Sequence, residues 1–244
     1  MINVHDITWN SPSNSLKRLK KEIHVWKIDL KKQKKIFNEM YSILSEKERT
    51  RVKSLRFKKD RIRYTIGQSA LRNILAEYLE LGPEEVCFSY MSTGKPKLES
   101  QKKIQFNFSH SKDLAIFALN EKHRLGIDIE FEKEISELEK MIKYYCTNQE
   151  KATIKKLPNE KQKSAFYRFW TQKEAYLKGV EYGLKYPLNI VDINMYLRNS
   201  PVLNGELKGN KNTNWSIISF RPEPDYMASL FFNYNKKKIF FYNY

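Results

Sequence analysis

Two helix-start signatures of the same kind, 102 residues apart, divide this chain of 244 residues into comparable halves. Ser45-x-x-Glu48 and Thr147-x-x-Glu150 both have the form of a capping box, in which a hydroxyl and a carboxylate satisfy free N–H groups at a helix start. Each box opens a helical stretch that is followed by short segments with the alternating pattern of strands. We therefore expect two similar halves that meet near residues 120–124.

Helical and strand-like patterns come in blocks along the chain. A strand-like segment at residues 23–30 is followed by a basic stretch and two helical stretches, and Gly82-Pro83 is a helix stop. Strand-like segments then precede the second capping box, and others follow the second helical block, which ends near Val180; they cover residues 86–90, 103–111, 114–120, 125–131, 189–197, 215–220, 227–232 and 237–243. This segregation predicts an α+β fold with lobes at residues 1–122 and 123–244.

A large excess of positive charge narrows the possible partners. The chain carries 45 Lys and Arg against 28 Asp and Glu, a net charge of +17. Such a field attracts polyanions, so nucleic acid, an anionic membrane, a phosphorylated cofactor and an acidic protein all remain open. No apolar run approaches the ~20 residues of a membrane span, and no secretory signal is visible. We expect a soluble, cytoplasmic protein.

Two acidic residues alternate with isoleucines in the segment at residues 125–131. On a strand, Asp128 and Glu130 point to one face, and Ile127 and Ile129 to the other. Carboxylates spaced in this way can converge on one cation, although a solvated strand face has the same pattern.

A third acidic residue lies on a predicted helix. Trp170, Glu174 and Lys178 recur every four residues and share one helix face. An amphipathic helix with one surface Glu–Lys pair has the same pattern. Glu174 therefore indicates a functional site only in combination with the strand carboxylates.

Further segments offer groups suited to phosphate: a hydroxyl and an imidazole at a strand end, a tight turn with a lysine, and cations on the first helical block. They are Ser109 and His110, Gly94-Lys95-Pro96, and Lys47, Arg51 and Arg63. Each has an ordinary structural alternative as a strand end, a turn or a solvated helix face. The sequence contains no Ser/His/Asp spacing of a hydrolase and no zinc-ligand spacing.

In combination, these motifs resemble those of the 4′-phosphopantetheinyl transferase superfamily. G-x-D-x-E at 126–130 is followed by W-x-x-K-E-A-x-x-K at 170–178, which is similar to the W/KEA group. The upstream segments are similar to the longer, surfactin-synthetase-activating (Sfp-like) branch: L-S-x-x-E-x-x-R at 44–51, D-R-x-R-Y at 60–64, G-K-P at 94–96 and N-x-S-H-S at 107–111. The resemblance covers roughly residues 44–190.

The resemblance implies transfer of the phosphopantetheine arm of coenzyme A to a serine of an apo carrier protein, with release of adenosine 3′,5′-bisphosphate. The carrier would be an acidic peptidyl, acyl or aryl carrier of secondary metabolism, such as nonribosomal peptide or polyketide synthesis. The resemblance also implies a monomer whose two lobes are related by pseudo-twofold symmetry, with the active site between them.

The same resemblance assigns roles to residues. Asp128, Glu130 and Glu174 would hold Mg²⁺, or Mn²⁺ in its place, and Glu174 would be the base, directly or through a water. Lys178 would face the pyrophosphate, with Lys173 a weaker candidate because it points about 100° away on the helix. The remaining contacts to coenzyme A would come from Lys47, Arg51, Arg63, Gly94, Lys95, Pro96, Ser109 and His110. The stretch Phe131–Thr147 would lie against the carrier.

Two alternatives remain. A basic nucleic-acid-binding protein would explain the charge and the aromatic content, but it would not explain three carboxylates at strand and helix spacings. A catalytically silent relative that only binds coenzyme A would not require the full set of carboxylates together with Lys178.

Overall fold

The computed structural model describes residues 7–12, 19, 22–31, 37–91, 94–181, 186–193, 203–204, 215–233 and 238–244. In chain order its elements are β1 (Glu22–Asp29), α1 (Phe37–Ser42), α2 (Glu46–Ser54), α3 (Lys58–Leu79), β2 (Phe88–Tyr90), β3 (Pro96–Leu98), β4 (Ile104–Ser111), β5 (Leu114–Glu121), β6 (Leu125–Phe131), α4 (Leu138–Tyr145), α5 (Asn148–Lys155), α6 (Asn159–Val180), β7 (Asp192–Ile193), β8 (Leu203–Asn204), β9 (Trp215–Phe220), β10 (Tyr226–Asn233) and β11 (Lys238–Asn243). Parts of the predicted basic stretch and of the strand at 189–197 lie outside the described residues.

Two sheets pack face to face and carry one long helix on each outer side. The first sheet has the strand order β11-β1-β5-β4, and the second has β6-β10-β9. Alternating residues of β1 and β5 face either α3 or the second sheet, so Trp26 and Phe117 pack with the helix while Val25 and Ile116 meet Ile127. On the far side, α6 covers β6 and β10. The result is a helix–sheet–sheet–helix arrangement that confirms the predicted α+β class.

The two halves of the chain repeat one order of elements. Among the described elements of each half, a strand is followed by two short helices, of which the second has a capping box, then by a helix of 22 residues and four further strands. The strand orders β1-β5-β4 and β6-β10-β9 correspond, and both are antiparallel throughout. The repeat supports the predicted lobes, whose twofold relation and boundary stay predictions. The last strand, β11, pairs in parallel with β1 and so belongs to the sheet of the first half.

Both predicted capping boxes are present. Ser45 accepts a hydrogen bond from the Glu48 N–H, whose side chain accepts one from Ser45, and Thr147 and Glu150 do the same. The capping glutamates are buried, and each also pairs with a cation of the long helix: Arg72 Nε lies 2.8 Å from Glu48, and Lys173 Nζ lies 2.6 Å from Glu150. The capping glutamate thereby holds its short helix to the long one.

The first long helix ends earlier than the sequence suggested. Glu80 adopts the left-handed conformation (φ 60°), and both it and Leu81 donate backbone N–H groups to the carbonyl of Ala76. These two hydrogen bonds satisfy the carbonyl of Ala76 and end the helix two residues before the predicted stop at Gly82-Pro83. In the described part of the chain, no helix is long and apolar enough to cross a membrane.

Candidate active site

A glycine lets strand β6 approach helix α6 unusually closely. A Cβ atom on Gly126 would lie 1.9 Å from the carbonyl oxygen of Ala175 and 2.5 Å from the amide nitrogen of Gly179. Only a residue without a side chain fits between the two backbones. The close contact brings Asp128 and Glu130, on the same face of β6 as Gly126, against the helix face that carries Glu174 and Lys178.

Asp128 is the centre of a hydrogen-bonded cluster. Its carboxylate is buried, and its Oδ1 accepts from Ser109 Oγ at 2.8 Å and from Lys178 Nζ at 2.6 Å. Lys178 also donates to Ser109 Oγ at 3.0 Å. Oδ2 is buried and has no hydrogen-bond partner among the described residues. One carboxylate oxygen is thus held in place, while the other keeps an unused acceptor capacity.

Side chains of β4 join the two sheets beside this cluster. Asn107 Oδ1 accepts the N–H of Ile127 at 2.9 Å, and Ser111 Oγ accepts the N–H of Phe131 at 3.1 Å. Ser111 also donates to Glu130 Oε2 at 2.8 Å. Because β6 is an edge strand of its sheet, its outward N–H groups need partners. Asn107 and Ser111 provide two of them, and Ser109 and Ser111 orient the two carboxylates.

Glu174 lies beside these groups in a desolvated position. Burial, and then the negative charge of Asp128, raise the pKa of Glu174 to about 7, against the opposing effect of Lys178. Burial likewise raises the pKa of Glu130, although the hydrogen bond from Ser111 lowers it. Among the residues that the structure describes, Glu174 has no hydrogen-bond or ion-pair partner. Its environment therefore favours a proton acceptor that is active near neutral pH.

The donor set suits Mg²⁺, although it is not a closed cage. In the described ranges, no group of three histidine, cysteine, aspartate or glutamate side chains is arranged to hold a metal ion by itself. Mg²⁺ in phosphoryl-transfer sites commonly uses one or two carboxylates, with phosphate oxygens and waters completing the octahedron. The free Oδ2 of Asp128 and the carboxylate of Glu130 on the same strand face fit that requirement.

Cations and an imidazole line the first-half side of the cluster. Arg63, at the start of α3, donates from Nε and Nη2 to Asp113 Oδ1 at 3.1 and 2.5 Å. The ring of His110 is accessible; partial burial, then the charges of Lys178 and Arg63, lower its pKa. His110 therefore lies within electrostatic reach of both Arg63 and Lys178.

The other residues predicted to contact the nucleotide differ in how deeply they are buried. Lys47 and Arg51 are exposed on α2, and the Lys47 ammonium lies 4.1 Å from the ring centre of Tyr90. The turn between β2 and β3 contains Gly94 with φ 82°, a conformation that favours glycine. Lys95, the next residue, reaches across to the end of α6, where its Nζ donates to the carbonyl of Lys178.

The prediction that Lys173 contacts the cofactor is wrong. Its side chain is only 1% exposed, and its Nζ donates to Glu150 Oε2, the carbonyl of Tyr145 and the carbonyl of Leu188 at 2.6, 2.9 and 2.8 Å. These three partners use all three ammonium protons. Lys173 therefore lies on the side of α6 away from the cluster, whereas Glu174 faces the cluster.

Sequence reasoning missed three contributors. Asn107 and Ser111 belong to a motif that was recognised, and their period of two with Ser109 is a signal that all three share one strand face. Asp113, the partner of Arg63, has no such signal, because it lies in the turn after β4 and is 50 residues away in sequence.

The family models match most of both halves. Residues 29–122 match the N-terminal model of 4′-phosphopantetheinyl transferase, and residues 124–230 match the 4′-phosphopantetheinyl transferase superfamily. The cluster of Asp128, Glu130, Glu174 and Lys178 lies within the second match. The chain belongs to the 4′-phosphopantetheinyl transferase superfamily.

Similar proteins agree with that assignment. The 4′-phosphopantetheinyl transferase HetI of Nostoc sp. is 36% identical over 180 residues, which is 72% of this chain and 76% of HetI. The 4′-phosphopantetheinyl transferase Sfp of Bacillus subtilis is 29% identical over 155 residues, 64% of this chain and 68% of Sfp. The predicted Sfp-type family and enzyme class are thus confirmed, and no comparison supports the nucleic-acid alternative.

One solved structure has a partial likeness. A holo-(acyl-carrier-protein) synthase from Bacillus anthracis, in complex with CoA, is 18% identical, with a TM-score of 0.38 over 45% of this chain and 94% of that chain. A likeness of this extent carries no argument about the site.

Proposed function

We propose that this protein transfers the 4′-phosphopantetheine arm of coenzyme A, in the presence of Mg²⁺, to a serine of an apo carrier protein. The serine oxygen forms a bond to the phosphorus that carries the arm, and the bond from that phosphorus to adenosine 3′,5′-bisphosphate breaks. The observation that carries the proposal is the meeting of Asp128, Ser109 and Lys178 beside a desolvated Glu174.

The carboxylates and Lys178 would carry out the chemistry. Asp128, Glu130 and Glu174 would hold the metal, which when bound would neutralise the charge of the pyrophosphate during displacement. Glu174 would accept the serine proton, directly or through a water. Lys178 would donate to the pyrophosphate from its position beside Asp128, so that its ammonium stabilises the negative charge of the departing bisphosphate.

The groups of the first half would recognise the nucleotide. Arg63, whose Nε and Nη2 are held by Asp113, would contact the 3′-phosphate with its remaining N–H groups, and the accessible His110 would add a contact within electrostatic reach of Arg63 and Lys178. Lys47 and Arg51 would add charge from α2, and Ser109 would contact the pyrophosphate region. The turn Gly94-Lys95-Pro96 would border the adenine end.

An acidic carrier domain suits the charge of +17. We place its docking surface on the stretch Phe131–Thr147, which follows Glu130 along the chain and contains α4. Tyr144 on α4 is 71% exposed and offers an aromatic anchor. We further propose that the protein acts as a cytoplasmic monomer on carriers of peptide or polyketide synthesis.

The direct test incubates the protein with coenzyme A, Mg²⁺ and an apo carrier, and measures the intact mass of the carrier. A gain of one phosphopantetheine is expected, and it should disappear with excess EDTA or when the acceptor serine is replaced by alanine. Asp128→Asn should remove the activity, whereas Glu77→Gln, an exposed carboxylate on α3, should retain it. The absence of any gain with several unrelated carriers would reject the proposal.

Recognition of the 3′-phosphate is tested by Arg63→Lys. A lysine cannot reproduce the two-pronged contact, so the KM for coenzyme A should rise more than the KM for its 3′-dephospho form. Equal changes for both donors would place Arg63 elsewhere than on the 3′-phosphate.

A further inference from the structure

The turn between β2 and β3 is connected to the end of helix α6 by a half-buried lysine. Lys95 Nζ donates to the main-chain carbonyl of Lys178 at 3.1 Å and to Glu181 Oε1 at 3.3 Å. Both the Lys95 and the Glu181 side chains are 16% exposed. Arg124, at the junction of the two halves, lies 3.3 Å from Glu181 Oε2. Three parts of the chain thus meet at the C-terminal end of α6.

The contact acts on the helical turn that bears Lys178. The last four carbonyls of a helix have no partner within the helix, and a cation there is favourable. Lys95 satisfies the carbonyl of Lys178, and Glu181 ends the helix in a left-handed conformation with φ 65°. The opposite side of the same turn is fixed, because Gly179 packs against Gly126 and Phe231. The turn is therefore held from two sides.

We propose that Lys95 is a positioning residue: it clamps the last turn of α6 so that the ammonium of Lys178 reaches Asp128 and Ser109. This inference rests on the proposed function, in which Lys178 stabilises the departing bisphosphate. It differs from the role that family resemblance suggests for Lys95, namely contact with the nucleotide by its own ammonium.

The two roles predict different kinetics. A clamp acts through the placement of Lys178, and a misplacement of about 1 Å can reduce turnover by ~10²-fold. Lys95→Met should therefore lower kcat by about 10- to 100-fold, with little change in the KM for coenzyme A. A direct contact with bound nucleotide would instead raise that KM with kcat retained. Lys97→Met, an exposed lysine on the same hairpin, is the matched control and should behave as wild type.

A double-mutant cycle connects the effect to Lys178. If Lys95 acts only by placing that ammonium, Lys95→Met should cause no further loss of kcat in a Lys178→Ala background. Glu181→Gln keeps an acceptor for Lys95 and should lose less than Lys95→Met does. Independent losses in the double variant, a rise confined to the KM, or kinetics equal to those of the control would each overturn the proposal.

A readout without catalysis separates this proposal from the proposed function. Amide hydrogen exchange of residues 176–181 should accelerate in Lys95→Met relative to wild type, while the last turn of α3 stays unchanged. If wild type transfers no phosphopantetheine, the proposed function fails, whatever the exchange shows. If wild type is active but exchange at the end of α6 is unaltered in Lys95→Met, the clamp fails alone.

Discussion

Replacement of Glu174 by glutamine should make the metal-free protein more stable at alkaline pH while it abolishes transfer. The carboxylate is desolvated and lies beside Asp128, which together raise its pKa from 4.5 to about 7. At ~1.36 kcal/mol per pKa unit, ionised Glu174 lowers the free energy of unfolding by at most about 3 kcal/mol. Because glutamine is neutral but still polar, we expect a gain of about 1–3 kcal/mol at pH 8.

The sign of the pH dependence follows from the raised pKa. Below pH 4.5 the carboxyl is protonated in both the folded and the unfolded protein, so it costs no stability there. As the pH rises from 4.5 to about 7, the unfolded state loses its proton while the folded state retains it, and the folded state becomes less stable. The advantage of Glu174→Gln over wild type should therefore shrink to less than about 1 kcal/mol at pH 5.

Urea unfolding with EDTA at pH 8 and pH 5 measures this difference, and the other titrating groups cancel between the two variants. Glu77→Gln, on the exposed face of α3, should change stability by less than about 0.5 kcal/mol at either pH. Addition of Mg²⁺ with adenosine 3′,5′-bisphosphate should stabilise wild type more than Glu174→Gln, which lacks one of the three proposed metal ligands. A glutamine variant that is less stable than wild type by the same amount at both pH values would refute the reasoning, since the carboxylate would then be a well-partnered group.

Three further substitutions test how the site is supported. Gly126→Ala places a methyl group against the backbone of α6, so it should lower the free energy of unfolding in urea by more than about 3 kcal/mol and abolish activity. Gly67→Ala, whose added Cβ would have its nearest atom at 3.7 Å, should be neutral or stabilising. Equal losses in the two variants would contradict the close approach of β6 and α6. Lys173→Met removes the cation beside the buried carboxylate of Glu150 and should lower the free energy of unfolding by about 3–5 kcal/mol. The second change Glu150→Gln should restore part of that loss. If it does not, lost packing and not the unpaired charge explains the effect. Burial lowers the pKa of His24, so as the pH falls below 6.5 the unfolded state takes up a proton before the folded state does, and the free energy of unfolding should decrease. His24→Gln should make stability less dependent on pH in this range. An unchanged pH dependence would mean that other groups cause it.

Much of the local architecture was accessible from sequence because it depends on local periodicity. The isoleucine alternation around Asp128 and Glu130 identifies a strand, and both capping boxes start helices at the predicted positions. Hydrophobic period and cap chemistry involve residues within a few positions of each other, so a window of the chain contains the whole signal.

The partners of individual side chains could not be predicted in that way. Lys173 and Glu174 are neighbours, yet one is enclosed by three acceptors behind α6 and the other faces the cluster. A helical wheel gives their angular separation of about 100° but not which side the rest of the protein covers. Similarly, Lys95 was expected at the nucleotide, whereas its ammonium lies on the end of α6.

The sequence alone determined the set of chemical groups: three carboxylates at strand and helix spacings, the lysine one turn after Glu174, and motifs specific enough to name a family. Only the tertiary structure decided how they meet. The absence of a side chain at Gly126 brings β6 onto α6. Asn107 and Ser111 of β4 accept N–H groups at the open edge of β6, while the hydroxyls of Ser109 and Ser111 orient Asp128 and Glu130. These contacts join residues far apart in the chain, and their energies come from close packing and from the need of buried polar groups for partners, neither of which local spacing encodes.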